Sequence, residues 1–368
     1  MEFAGEQLRL ARLAHGLSLE EVAERIATSR QFIHQLENGS RSASTEHVEI
    51  LAEALGVTED FFADLVPSTV RPEQCHFRGL SSRPAYVTSQ VLARGTLLDK
   101  LVASIEGVLS LPTVDFPDIP VSNFEEIEQA AEAARIHWKL GSTGPIKNMM
   151  RVVENAGAVV TYFEDLSEKV DAFSMDRRRP IIVRSSLKQS LFRQRFDLAH
   201  ECGHLIMHRG IQTGDQATEK EAHRFAGAFL FPRGAVLREF PRGKRIDWQA
   251  LYKLKLRWRM SVSAIVRRAF DLRILTPAQY RTANIYLRKT GQSKVEKFDN
   301  DGSLPLEYPE LLPKVIDALD EAIPGGVLSV GMKAGLKREM LVQLTGIELN
   351  PSAPISSADN VIQLHPNR

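Results

Sequence analysis

Cysteine is nearly absent from this chain of 368 residues. The two present, Cys75 and Cys202, are too few for a disulfide framework and suit a reducing compartment. Long apolar runs are missing too: none approaches the roughly 18 residues needed to cross a bilayer. The start, Met-Glu-Phe-Ala-Gly-Glu-Gln, lacks the basic-then-apolar pattern of a secretion signal. These absences predict a soluble, cytoplasmic protein with no membrane partner. Hydrophobic residues at 43% and charged residues at 25% match ordinary globular chains and exclude a disordered, collagen-like or disulfide-stapled one. The length predicts two or three domains.

Net charge is small, +1, but unevenly placed. Residues 1–65 hold five basic side chains against twelve acidic, a net of −7, whereas residues 233–297 hold seventeen Lys/Arg against four Asp/Glu, a net of +13. Such asymmetry suggests either an electrostatic partner for the basic stretch or its docking on the chain's own acidic part.

The expected fold is mainly α with a small β-sheet. Residues 1–65 read as short helices with tight breaks, five in all. Leu8, Leu10, Leu13 and Leu17, then Leu19, Val22, Ala23 and Ile26, recur at helical spacing. Ser18 followed by Glu21 is the capping-box pattern. Ser29 opens a further helix that Asn38-Gly39 closes, and two more fit Ser44–Leu55 and Thr58–Phe62. Residues 66–120 read as a linker around one helix, roughly Ser89–Leu109, and 121–235 as the next domain. β-Branched runs at Ala158–Phe163, Asp171–Met175 and Pro180–Val183 predict strands, and Leu191–Met207 and Glu219–Leu230 predict long helices. Residues 236–297 form a basic helical region, 298–349 carry two helices (Pro309–Ala322 and Lys337–Thr345), and 350–368 read as a disordered tail.

The segment His200-Glu201-Cys202-Gly203-His204 carries the most chemistry. Residues four apart share a helical face, so His200 and His204 can aim imidazole nitrogens at one Zn²⁺. Glu201 sits beside that face, where a carboxylate can take a proton from an activated water. Two histidines and a glutamate in so apolar a helix need partners to offset desolvation, and a metal supplies them. An open catalytic site needs a third ligand. Glu219 on the following helix is the first choice. His223, one turn on, serves as an alternative ligand or as a hydrogen-bond partner of His200 or His204, and Glu221 is the second carboxylate choice. A peptide substrate would add to an exposed sheet edge near the metal, supplied by Ala172–Met175 or Ile181–Arg184.

Residues 18–37 show a helix-turn-helix pattern broken at Ala27-Thr28. Its second helix would place Ser29, Arg30, Gln31 and His34 toward the bases of an operator, with arginine suited to guanine and glutamine to adenine.

Both segments resemble known families. Residues 1–64 resemble the XRE/Cro-like helix-turn-helix family, through Gln7-Leu8-Arg9, Leu17-Ser18-Leu19-Glu20-Glu21-Val22-Ala23 and Ile33-His34-Gln35-Leu36-Glu37-Asn38-Gly39. Residues 124–232 look like the ImmA/IrrE family of zinc metallopeptidases, through Arg193–His204, Glu219–Ala226 and Phe229-Leu230-Phe231-Pro232. That resemblance implies a zincin-like domain with zinc on His200, His204 and Glu219 and Glu201 as catalytic base, although the family more often has Asn where this chain has His223. It also implies a protein substrate of repressor type, or the chain itself. The expected protein is a homodimeric DNA-binding regulator with a zinc metallopeptidase domain. The alternative is a non-enzymatic repressor or antitoxin-like regulator whose metal site is structural or sensory.

Overall fold

The computed structural model describes residues 3–63, 69–77, 84–163, 172–185, 190–299, 302, 304–349 and 362–363. It begins with α1 (Gly5–His15), α2 (Leu19–Arg25), α3 (Arg30–Glu37) and α4 (Thr45–Ala54). The boundaries follow local chemistry. Gly16 ends α1 in the left-handed region, Ser18 and Glu21 close a capping box on α2, and Ser29 and Ser44 cap α3 and α4 with their hydroxyls. The fifth expected helix is a single 3-10 turn, Glu59–Phe62.

The stretch read as a linker is structural. It contributes strand β1 (Cys75–Phe77) and helix α5 (Ala85–Glu106), one of the longest helices described. α5 buries Val87, Val91, Leu98, Leu101 and Ile105, and its Arg94 Nε donates to the Ala14 carbonyl of α1 at 2.7 Å. At its other end Asp99 accepts from Arg177, and Glu106 from Arg179, beside the sheet. Several prolines around one amphipathic stretch read as a spacer with a helix; tertiary burial makes that helix a spine.

After β2 (Leu109–Ser110) the chain forms α6 (Phe124–His137), α7 (Met149–Asn155), β3 (Val159–Tyr162), β4 (Ala172–Met175), β5 (Ile181–Arg184), α8 (Leu191–Met207) and α9 (Gln216–Leu230). Among the described residues one sheet has the order β1-β4-β5-β3, with β3 parallel to β5 and the other pairs antiparallel. Strand alternation divides its side chains between two cores. Val159, Phe173, Met175, Ile181 and Val183 join a core shared with α1–α5, while Val160 and Ile182 join a second core with α8 and α9. Both strands expected to offer a free edge are internal: β4 lies between β1 and β5, and β5 between β4 and β3.

The basic region forms α10 (Arg233–Glu239), α11 (Trp248–Trp258), α12 (Val262–Asp271) and α13 (Pro277–Lys289). Part of its charge is spent inside the fold. Lys255 is fully buried between Glu296 and Asp299, and Arg268 donates to both oxygens of buried Glu128. The C-terminal part holds α14 (Leu311–Ala322), α15 (Gly326–Lys333) and α16 (Arg338–Thr345), one helix more than the sequence suggested. The glycines Gly325 and Gly326, both in the left-handed region, make a break that also starts α15. The tail expected to be disordered lies outside the described residues, except that β6 (Ile362–Gln363) pairs parallel with β2. Among the described residues no helix is long and apolar enough to cross a membrane.

Candidate metal centre

α8 presents His200 and His204 on one face, and α9 returns alongside it after a short loop. Asp215 caps α9, accepting from the backbone N–H of Ala217 and Thr218. Gly203 permits the close approach of the two helices: a Cβ there would stand 3.0 Å from a ring carbon of Phe225. Glu219, one turn into α9, thereby reaches both histidines.

The donors lie close together. His200 Nε2 and His204 Nε2 are 3.1 Å apart; Glu219 Oε2 is 3.5 Å from His200 Nε2, and Oε1 is 3.4 Å from His204 Nε2. The last two separations exceed the usual N–H···O range. Each is close to the roughly 3.4 Å that separates two ligands held about 2.1 Å from a shared ion, each histidine being met by a different oxygen of Glu219. The donor set therefore fits a divalent cation better than mutual hydrogen bonding. His223 adds a fourth nearby donor. Its ring stands edge-on to that of His200 with centroids 4.6 Å apart, and nitrogens of His200 and His223 and a Glu219 oxygen all lie within 4.8 Å of one another.

Electrostatics favour the metal-binding forms. Burial lowers the pKa of His200, and that of His204 to about 4, leaving both neutral at pH 7. Burial pushes Glu219 upward, but its close polar contacts with His200 and His204 outweigh this and hold the carboxyl well below the usual range.

A second layer orients these groups. His204 Nδ1 lies 2.9 Å from His208 Nδ1, and His208 Nε2 lies 2.9 Å from Glu221 Oε2. If His204 offers Nε2 to a metal, its Nδ1–H donates to His208, whose Nε2–H donates in turn to Glu221. This is the carboxylate–histidine relay that fixes a ligand's tautomer. Glu221, the second choice as ligand, thus stands behind the site. Sequence reading missed His208, although its spacing of four from His204 was a signal. Glu201 is 3% exposed, and Ser174 of β4 donates to its Oε2 at 2.6 Å. Burial also raises the Cys202 thiol, in keeping with a packing role.

His76 of β1 was missed entirely. Its ring stacks on His204 with centroids 5.0 Å apart and planes 5° from parallel, and its Nδ1 lies 2.9 Å from Thr213 Oγ1. On the other side of the centre a cavity of about 410 Å³, lined by Phe124, Phe196, His223, Arg224 and Arg267, reaches Glu219.

At the N-terminus, Ser29, Arg30, Gln31 and His34 are exposed on and beside the start of α3. Arg30 pairs with Glu20 at 2.8 Å on the open surface, a contact too weak to withhold it from a stronger anion.

Fold and site together define a helix-turn-helix chain fused to a domain with an HExxH-type cluster of potential metal ligands. The family comparisons agree with that division. Residues 8–62 match the helix-turn-helix model, and residues 153–270 match the IrrE N-terminal-like domain of peptidase family M78. The chain therefore combines an XRE-type helix-turn-helix DNA-binding domain with an IrrE-like peptidase domain. No match was found among curated proteins.

Proposed function

We propose that this chain is a cytoplasmic DNA-binding regulator whose M78 domain is a zinc endopeptidase acting on a repressor-type protein or on the chain itself. The observation that carries the reading is the close cluster of His200, His204 and Glu219 donors, with a carboxylate, Glu201, one residue from the first of them. Two imidazole nitrogens and a carboxylate suit zinc, and three protein ligands leave a coordination position free. Zinc in such a site supplies Lewis acidity and a water of lowered pKa. Glu201 accepts the proton of the attacking water and returns it to the leaving amine, while Ser174 fixes one of its oxygens. His208 and Glu221 hold His204 in the tautomer that presents Nε2. At the other end, a homodimer would set two copies of α3 on an operator, with Arg30, Gln31 and His34 reading bases and Ser29 at the helix start beside the phosphates.

The test pairs metal analysis with a cleavage assay against co-encoded repressors. Glu201→Gln is expected to keep stoichiometric zinc and to slow cleavage by about 10² to 10⁴-fold. Cleavage at the wild-type rate by that variant would end the catalytic reading. The burial of Glu201 favours a second reading, a regulator whose metal centre senses rather than cuts. Full zinc occupancy with no cleavage of any repressor, or of the chain itself, would establish it.

A further inference from the structure

The register of the sheet runs a single row of side chains across all its strands. Val160 of β3 faces Ile182 of β5, Ile182 faces Ser174 of β4, and Ser174 faces His76 of β1. Directly opposed residues point to the same face. Ser174 meets Glu201, and His76 meets His204, so the row lies over the metal-centre face of α8. β4 is therefore the strand along which an extended peptide must run if its backbone is to pass the candidate zinc ligands. That edge is taken. β1 lies antiparallel on it, the orientation an added peptide strand would adopt, and Asp176 N–H donates to the Gln74 carbonyl as one further rung.

We propose that the edge of β4 is the docking site for an extended segment of the substrate protein, and that Cys75–Phe77 holds it in the resting chain as a substrate stand-in. The proposal rests on the peptidase reading above. Three features suit a strand that must leave. β1 is only three residues long. It comes from the stretch joining the DNA-binding helices to α5, not from the matched peptidase segment. Finally, His76 is 2% exposed, yet its Nε2 has no hydrogen-bond partner among the described residues, which weakens the hold of β1. With β1 in place the strand side of the centre is closed, and Glu201 and His204 are buried.

The experiment uses the full chain, zinc-loaded and carrying Glu201→Gln, with a fluorescent synthetic peptide copying residues 70–80 as probe. His76→Pro removes a backbone donor from the middle of β1 and cannot remain in a paired strand. It is expected to bind the peptide about 30-fold more tightly than the parent, the effect of losing about two strand hydrogen bonds to the internal competitor. Met175→Cys faces Cys75 directly, within disulfide reach. Once oxidised, with the loss of two thiols verified, it is expected to bind no peptide until reduced. Equal affinity in parent and His76→Pro, or undiminished binding by the oxidised lock, would overturn the proposal. The same variants with Glu201 restored keep the two readings apart. A lock that still cuts a repressor at the reduced rate sinks the docking claim and leaves the peptidase standing. Peptide binding that follows the lock without any hydrolysis does the reverse.

Discussion

The most telling residue is one that touches no substrate. His208 links the candidate ligand His204 to Glu221 through two nitrogen contacts of 2.9 Å. Without it, the Nδ1 of His204 is left in a buried site with no acceptor, and the neutral tautomer presenting Nε2 loses its preference. His208→Ala is therefore expected to weaken zinc binding by about 10- to 100-fold, read by competition with a chromogenic chelator. Glu221→Gln should act in the same direction and more mildly, because the amide oxygen still accepts from His208. If Glu221 instead ligated the metal, its replacement would cost at least as much as that of Glu219, and the order of the two variants decides the matter. That His200, His204 and Glu219 come together was legible from spacing, because it depends on two adjacent helices alone. His76 had no such signal. Its place over His204 follows from β1 joining the sheet far along the chain, and three residues carry too short an alternation to announce a strand.

Among the elements, the approach of α8 to α9 governs the centre. Glu219 reaches the two histidines because Gly203, between Glu201 and His204, lets Phe225 close against the backbone of α8, where an added Cβ would meet three ring or Cβ atoms at 3.0–3.2 Å. Those are buried core atoms, packed by Phe229 stacking on Phe225 at 5.5 Å, so the helices must separate to admit a larger side chain. Gly203→Val is expected to cost about 1–3 kcal/mol in thermal or denaturant unfolding. It should also weaken zinc binding, although every proposed ligand is retained. Unchanged zinc affinity with lowered stability would mean that Glu219 follows the histidines independently of helix spacing. The strands offer the complementary lesson. Their positions were legible from β-branched runs, but their order was not. Which strand lies at an edge depends on a partner from outside the run, and β1 converts β4 from edge to interior.

At the scale of the whole molecule, the boundaries suggested by sequence do not follow the cores. The N-terminal helical unit buries Leu8, Leu55, Val57 and Phe61 in one cluster with α5, residues of all four strands of the sheet and the helices near the C-terminus. The junction is specific. Val57 and Leu336 form a β-bridge, Thr58 N–H donates to the Gly335 carbonyl, and Lys337 N–H donates to the Gly56 carbonyl, both at 2.9 Å. Gly335, in the left-handed region, brings its backbone against Phe61, and Lys337 reaches Glu53 at 2.6 Å. Beyond this contact, α16 accepts from Thr161 of β3 through the Leu344 and Thr345 carbonyls. A continuous path of packed residues thus joins the DNA-binding helices to the sheet beside the candidate metal centre. Leu336 is fully buried at the hinge of this path, so Leu336→Ala removes core contacts shared by both ends of the chain, at a cost of about 2–5 kcal/mol. Hydrogen exchange provides the reading, because protection reports local opening free energy element by element. If the first four helices share this core, their amides should lose protection in Leu336→Ala together with those of α15 and α16. An independent N-terminal module would keep its protection unchanged while only the C-terminal helices loosened.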